Sequence, residues 1–319
     1  MREDEVISVL LAAAQPVAGA GVLRGPGDDA AALRPPAGQD LAWTVDDHAE
    51  DVHFRAAWGW KAVGRKAAGA ALSDLAASGA SPVGALLALT LPAGFGRGDL
   101  VELGRGFGQK LAEAGCPLVG GNVTRGPRVQ LSTSLLGAIP RGGGLWRDGA
   151  EAGAALFVSG PLGLARAGLL WLEAGGDRDD PALQPALRAL LDPAPRFELG
   201  LALRDHSCAV LDLSDGLARD LPRLARACGC AADVELARVP APTPALAERV
   251  GEAPSALAWV GGEDYELLVA GPPALEGLGL TRIGQLSAGA PGEVRGASGE
   301  AGYDPFADAP SGSGAPTHE

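Results

Sequence analysis

Ala209-Val210-Leu211-Asp212-Leu213-Ser214-Asp215-Gly216-Leu217 is the stretch from which the rest of the chain is most readily ordered. Residues 209–213 form a short apolar run without polar alternation, which reads as a buried strand. Two carboxylates and a glycine then mark a turn, and helical spacing follows from Leu217 to Cys228. A buried strand entering a helix through an acidic turn predicts a mixed α/β arrangement.

Working outward, an apolar strand is predicted at 154–159, followed by three helical segments up to about Arg204. Shorter strands follow around Val234, Leu267 and Ile283. Toward the N-terminus, an amphipathic first helix precedes strands at 30–33 and 41–45, separated by the turn Pro35-Pro36-Ala37-Gly38. A helix rich in Ala and Gly is predicted over about 58–78, packed closely on a sheet. The nearly continuous apolar run 83–91 reads as a buried strand. Asp99 marks the start of a helix that ends at Gly115, and strands near Leu118 and at 129–139 complete a first α+β unit. Arg141-Gly142-Gly143-Gly144 is the linker candidate. It divides the chain into an N-terminal domain, 1–140, and a C-terminal domain, 145–307, with a disordered tail at 308–319. No internal repeat is visible.

The bulk composition fits this plan. The chain has 319 residues, 47% hydrophobic and 20% charged, enough for two domains of ordinary size. Its 48 glycines point to many turns and close backbone approaches. A net charge of −13 speaks against nucleic-acid or anionic-membrane partners, which need a basic surface. It also sets a condition: an acidic protein holds a polyphosphate only with divalent cations between its carboxylates and the phosphates. The four cysteines (Cys116, Cys208, Cys228, Cys230) form no CxxC pair and read as reduced residues of a reducing compartment. Glu3, Asp4 and Glu5 outweigh Arg2, the wrong charge for a signal peptide, so a cytoplasmic location is expected.

Carboxylates gather where strands end. The clusters are Gly25-Pro26-Gly27-Asp28-Asp29, Thr44-Val45-Asp46-Asp47, Leu72-Ser73-Asp74-Leu75, Asp212-Leu213-Ser214-Asp215-Gly216 and Gly261-Gly262-Glu263-Asp264-Tyr265-Glu266. Turn and cap chemistry explains any one of them. Together they suggest shared cations, because adjacent carboxylates repel unless a cation lies between them. Oxygen ligands without Cys or His favour Mg²⁺ over zinc. Residues 59–66 begin like a phosphate loop but end Gly64-Arg65-Lys66, without the required Gly-Lys-Ser/Thr, and neither a complete GxGxxG nor a GxSxG is present.

In this order the clusters are recognisable. GPGDDAA, the strand ending TVDD with VHF after it, KAAGAALSDLAASGASP, GGNVTRGP, DLSDGLARDL, GGEDYELL and GYDPF together resemble the thiamine-monophosphate kinase family. That family lies in the superfamily of aminoimidazole-ribonucleotide synthetase and selenophosphate synthetase. The resemblance covers residues 25–306 and implies a two-domain α+β fold of the aminoimidazole-ribonucleotide synthetase type, paired through its first domain as a homodimer with a shared β-barrel. It implies transfer of the γ-phosphoryl group of ATP, the co-substrate, to thiamine monophosphate, with several Mg²⁺ ions. The acceptor phosphate is already anionic, so no catalytic base is needed, and metals plus positioning carry the reaction.

By motif position, Asp29, Thr44, Asp46, Asp74, Asn122, Asp212 and Asp215 correspond to metal ligands. Gly121, Asn122, Arg147 and Ser214 correspond to ATP contacts, and His53, Glu263 and Tyr303 to groups that hold the thiamine moiety. Two departures stand out. GGNVTRGP has Asn122 and Val123 where the family usually has Asp and Thr, and Val45 replaces a hydroxyl residue before Asp46; Asp47 and Asp51 are candidates to compensate. Two rival readings follow: another ATP-using enzyme of the superfamily, or a degenerate nucleotide-binding protein without catalysis.

Overall fold

The computed structural model describes residues 1–297. Helix α1 (Glu3–Ala14) leads into a small antiparallel ribbon of β1 (Val22–Arg24) and β2 (Ala32–Leu33). Then come β3 (Gln39–Ala49), α2 (Trp60–Ala77), β4 (Ser81–Leu91), α3 (Arg97–Glu113), β5 (Leu118–Arg125) and β6 (Gln130–Pro140). The four long strands form one sheet in the order β3-β6-β4-β5, with only β4 and β5 parallel.

The composition of α2 explains how this layer closes. Ala67, Ala68, Ala71 and Ala76 are fully buried, and side chains this small bring the helix close to α3 on one side and to β3 and β6 on the other. Helices therefore cover one face of the sheet. The other face is open, and Leu41, Trp43, Val45 and Leu86 stand exposed on it. The apolar run at 83–91 thus forms a strand buried on one face only. Ala85, Leu87 and Leu89 point inward, whereas Leu86 is 38% exposed.

The second half contains β7 (Ala155–Val158), α4 (Leu164–Glu173), α5 (Gln184–Leu191), α6 (Phe197–Leu203), β8 (Ala209–Asp212) and α7 (Leu217–Ala227). It continues with β9 (Ala231–Val234), α8 (Pro244–Val250), α9 (Pro254–Val260), β10 (Leu267–Gly271), β11 (Thr281–Ser287) and β12 (Val294–Arg295). Its six-stranded sheet runs β12-β9-β11-β7-β10-β8. All four residues of β8 are buried although the strand lies at the edge. Helix α2 packs against it, and Trp146 bridges its outer side at Ala209. This contact brings the acidic ends of the two halves together.

Several expectations are corrected. Strand β3 extends to Ala49, because it pairs with β6 along its whole length. Helix α3 is capped at Gly96, and Asp99 sits inside its first turn. Helices α8 and α9 have seven residues each, too short for periodicity to reveal.

Candidate active site

Thr44 and Asp46, two residues apart, share the inward face of β3. Asp74 on α2 faces them, and its Oδ2 accepts a 2.6 Å hydrogen bond from the Thr44 hydroxyl. Asp212 ends β8. A cleft of about 640 Å³ is lined by Thr44, Asp74, Trp146, Arg147 and Asp212, drawn from both sheets and the linker.

The electrostatics follow from crowding. Burial raises the Asp46 carboxyl to about 7, with Asp74 adding to the shift. Burial and then Asp74 raise Asp212 to about 8. Asp74 is also raised by burial, opposed by the Thr44 hydrogen bond and the positive charge of Arg147. Three carboxylates that hinder each other's ionisation form a site that is satisfied by cations. His48 deepens the deficit: it is buried, its Nδ1 lies 3.7 Å from Asp46 Oδ2, and neither ring nitrogen has a hydrogen-bond partner among the described residues. Burial lowers its basicity, so it supplies no positive charge.

The Mg²⁺ implied by the resemblance can be tested against these donors. A hydroxyl and three carboxylates are hard oxygen ligands, which suits Mg²⁺. Among the described residues no group of three or more His, Cys, Asp or Glu closes into a coordination shell on its own. Mg²⁺ typically takes one or two carboxylates and completes its shell with water and substrate phosphates.

A second cluster adjoins the first. The turn between α9 and β10 is tied to the turn after β8, with Glu263 N–H donating to Ser214 O and Tyr265 N–H to Leu213 O. Gly216, at φ 94°, permits this approach, since a Cβ there would lie 2.9 Å from the carbonyl oxygens of Val260 and Gly261. Glu263 and Tyr265 themselves hold φ of 64° and 53°, a conformation that costs non-glycine residues about 1–3 kcal/mol each. Asp264 caps α4 by accepting from the N–H groups of Gly163 (2.5 Å) and Ala165 (2.9 Å). Glu266 forms an ion pair with Arg196 and accepts from the Ser159 hydroxyl. Glu263 alone in the acidic run turns toward the first half, where it pairs with Lys66 at 2.9 Å. His53 lies beside this pair, its charge coupled to both.

The structure thus brings together Thr44, Asp46, Asp74, Arg147 and Asp212, and separately His53 and Glu263. Ser214 sits in the turn that joins the two groups. Asp29 lies exposed on its loop, where its N–H donates to Asp28 Oδ1. Asp215 is paired with Arg223 at 2.6 Å. Gly121 and Asn122 lie exposed on β5, at the opposite sheet edge from β3, three strand spacings or about 14 Å away. Gly121 also has a structural reason to be glycine, since a Cβ there would lie 2.0 Å from Leu87 O. Val45 is 65% exposed on the open sheet face, so its missing hydroxyl is not taken from the inward cluster. Asp47 alternates to that same outward side, and Asp51 is paired with Arg128, so neither joins the cluster. Tyr303 and the tail at 308–319 lie outside the described residues. In the sequence Lys66 closes an incomplete phosphate loop; in the fold it lies on a buried helix face.

Two mixed layers that meet on a cleft of buried carboxylates, without any of the common phosphate loops, fit the aminoimidazole-ribonucleotide synthetase type of fold. Residues 27–139 accordingly match the AIR synthase related protein, N-terminal domain. The chain belongs to the thiamine-monophosphate kinase family. It is 36% identical over 251 residues to the thiamine-monophosphate kinase of Synechococcus elongatus, covering 76% of either protein. Its fold is similar to the crystal structure of that enzyme from Stenotrophomonas maltophilia K279a, with a TM-score of 0.78 and 33% identity over 92% of this chain and 94% of the other. It is equally similar to AaThiL complexed with AMPPCP and TMP, with a TM-score of 0.78 and 28% identity over 95% and 97%.

Proposed function

We propose that this chain is a magnesium-dependent kinase that transfers the γ-phosphoryl group of ATP directly to thiamine monophosphate, giving thiamine diphosphate and ADP. The observation that carries the reading is the convergence of Thr44, Asp74 and Asp212 on one cleft, with Asp46 close enough to raise Asp212, in a chain of this family. Bound Mg²⁺ would neutralise the facing phosphates and hold them in line. The chain's own residues then bind and orient. Thr44, Asp46, Asp74 and Asp212 are proposed as the inner metal ligands, with Asp29, Asn122 and Asp215 for further ions. Arg147, exposed at the cleft rim and coupled to Asp74, is proposed to meet ATP phosphates together with Ser214. His53 and Glu263 are proposed to hold the thiamine moiety. No side chain is asked to remove a proton, because the attacking phosphate oxygen already carries negative charge.

The reading includes a homodimer built on the open sheet face, and the division into domains 1–140 and 145–307. Leu41, Trp43, Val45 and Leu86 form an apolar surface of the kind oligomers cover. Closing two four-stranded sheets around a two-fold axis would bring β5 of one protomer to β3 of its partner. That arrangement would bring Gly121 and Asn122 to a cleft they do not reach within one chain. The location proposed is the cytoplasm; no helix among the described residues is long and apolar enough to cross a membrane.

The test is direct. Purified protein with ATP, Mg²⁺ and thiamine monophosphate should yield thiamine diphosphate and ADP in equal amounts by chromatography, and EDTA should stop the reaction. ATP binding without turnover on thiamine monophosphate would favour the degenerate nucleotide-binding protein. ADP release with a different acceptor would favour another enzyme of the superfamily.

A further inference from the structure

Lys66 lies in the middle of α2 and is 0% exposed. A buried ammonium is costly unless its hydrogens are bonded and its charge is met. Its Nζ donates to the carbonyl oxygen of Leu190 at 3.2 Å, one of the carbonyls left without a helical partner at the end of α5. It also pairs with Glu263 Oε1 at 2.9 Å. Three separate segments therefore meet on one amine.

What this amine holds is unusual. Glu263 belongs to no regular element and keeps a left-handed backbone at φ 64°. Its side chain is 25% exposed, and the ion pair with Lys66 is made through Oε1. His53 stands nearby with a defined polarity. The Ala49 N–H donates to His53 Nδ1 at 3.1 Å, so that nitrogen is an acceptor, and in the neutral ring the hydrogen sits on Nε2. The pair thus offers one fixed carboxylate oxygen and one N–H donor.

We propose that Lys66 is a positioning residue for the phosphoryl acceptor. By holding Oε1, it sets Glu263 Oε2 beside the His53 Nε2–H so that the two meet the aminopyrimidine ring of thiamine monophosphate. The ring's amino group donates to the carboxylate and a ring nitrogen accepts from the imidazole. This role rests on the kinase reading above. Lys66 does not touch the substrate; it acts through Glu263 and fixes one rotamer of a side chain that no element would otherwise order.

Steady-state kinetics of Lys66→Met, Glu263→Gln and the double variant test it. A hydrogen bond to a charged group is worth about 1.5–3 kcal/mol, so Lys66→Met should raise KM for thiamine monophosphate roughly tenfold or more. Its KM for ATP and its kcat should stay within about twofold, and the double variant should be no worse than the poorer single one. An unchanged KM for thiamine monophosphate in folded Lys66→Met, or multiplicative effects in the double variant, would overturn the role. Should Lys66→Met fail to fold, Glu263→Ala keeps the question open to measurement. Added formate should fill the space beside the ammonium and restore both melting temperature and thiamine monophosphate binding, and absence of rescue would overturn the proposal. Wild-type protein without turnover on thiamine monophosphate would instead overturn the kinase reading. Wild-type turnover with a flat KM in Lys66→Met would remove Lys66 alone.

Discussion

At the scale of single residues, the cleft keeps its carboxylates at a cost to stability, which the proposed cations would offset. Asp46 and Asp212 are raised to about 7 and about 8, far above unfolded carboxylates. A folded pKa above the unfolded one gives stability that is fully present below the unfolded value and is lost as pH rises through the folded value. Metal-free protein should therefore melt at progressively lower temperature as pH rises from about 5 to about 9, and Mg²⁺ with ATP should flatten the slope. A flat metal-free profile in a calorimetric pH series would contradict this. Asp212→Asn separates the two roles. It should cut turnover at least a hundredfold, yet raise metal-free stability by about 1 kcal/mol, seen as roughly 2 °C in melting temperature. The sequence showed these carboxylates clearly, because clustered acidic residues are visible as spelling. It did not show that Asp215 is bound to Arg223, or that Asp264 caps a helix, because both partners come from fold contacts.

At the scale of elements, α2 and the paired acidic turns set the geometry. Ala71 is fully buried between sheet and helix, so Ala71→Leu overfills the layer and should cost about 1–3 kcal/mol by urea titration. Gly216→Ala has a more local effect. At φ 94°, with carbonyls 2.9 Å from the new Cβ, it should destabilise by about 1–3 kcal/mol and loosen the Ser214–Glu263 hydrogen bond. Glu263 then loses its register, so KM for thiamine monophosphate should rise more than KM for ATP. Equal changes in both would point to general loosening of the fold. Most long elements were legible here, since the Ala/Gly spacing of α2 and the long apolar run of β4 point to a helix and a strand of their own length. Short elements such as α8 and α9 were not, because seven residues make barely two turns and their order comes from packing.

At the scale of the whole molecule, the open face of the four-stranded sheet is the surface on which the proposed homodimer rests. Leu86→Asp puts a charge in the middle of that face without touching the helical core. By sedimentation the variant should be monomeric with unchanged circular dichroism, and its turnover should fall because Asn122 then has no partner cleft to enter. A variant that stays dimeric would place the interface elsewhere. The apolar run at 83–91 announced a strand but could not say that its outer face is left exposed by the described residues, since hydrophobicity records burial without naming the partner.

The acidic clusters, the long helices and the apolar runs of the strands were determined by the sequence itself, because turn chemistry, periodicity and side-chain type are local properties. Which carboxylates share a cleft was decided only by the tertiary structure. The packing of α2 against β8 sets Asp74 against Asp212, and the strand order parts Asn122 from Asp46. Lys66 shows the difference most plainly. In sequence it is the wrong end of an incomplete phosphate loop; in the fold it is a buried ammonium joining α5, α2 and the Glu263 turn, since burial and partnership depend on contacts between distant residues.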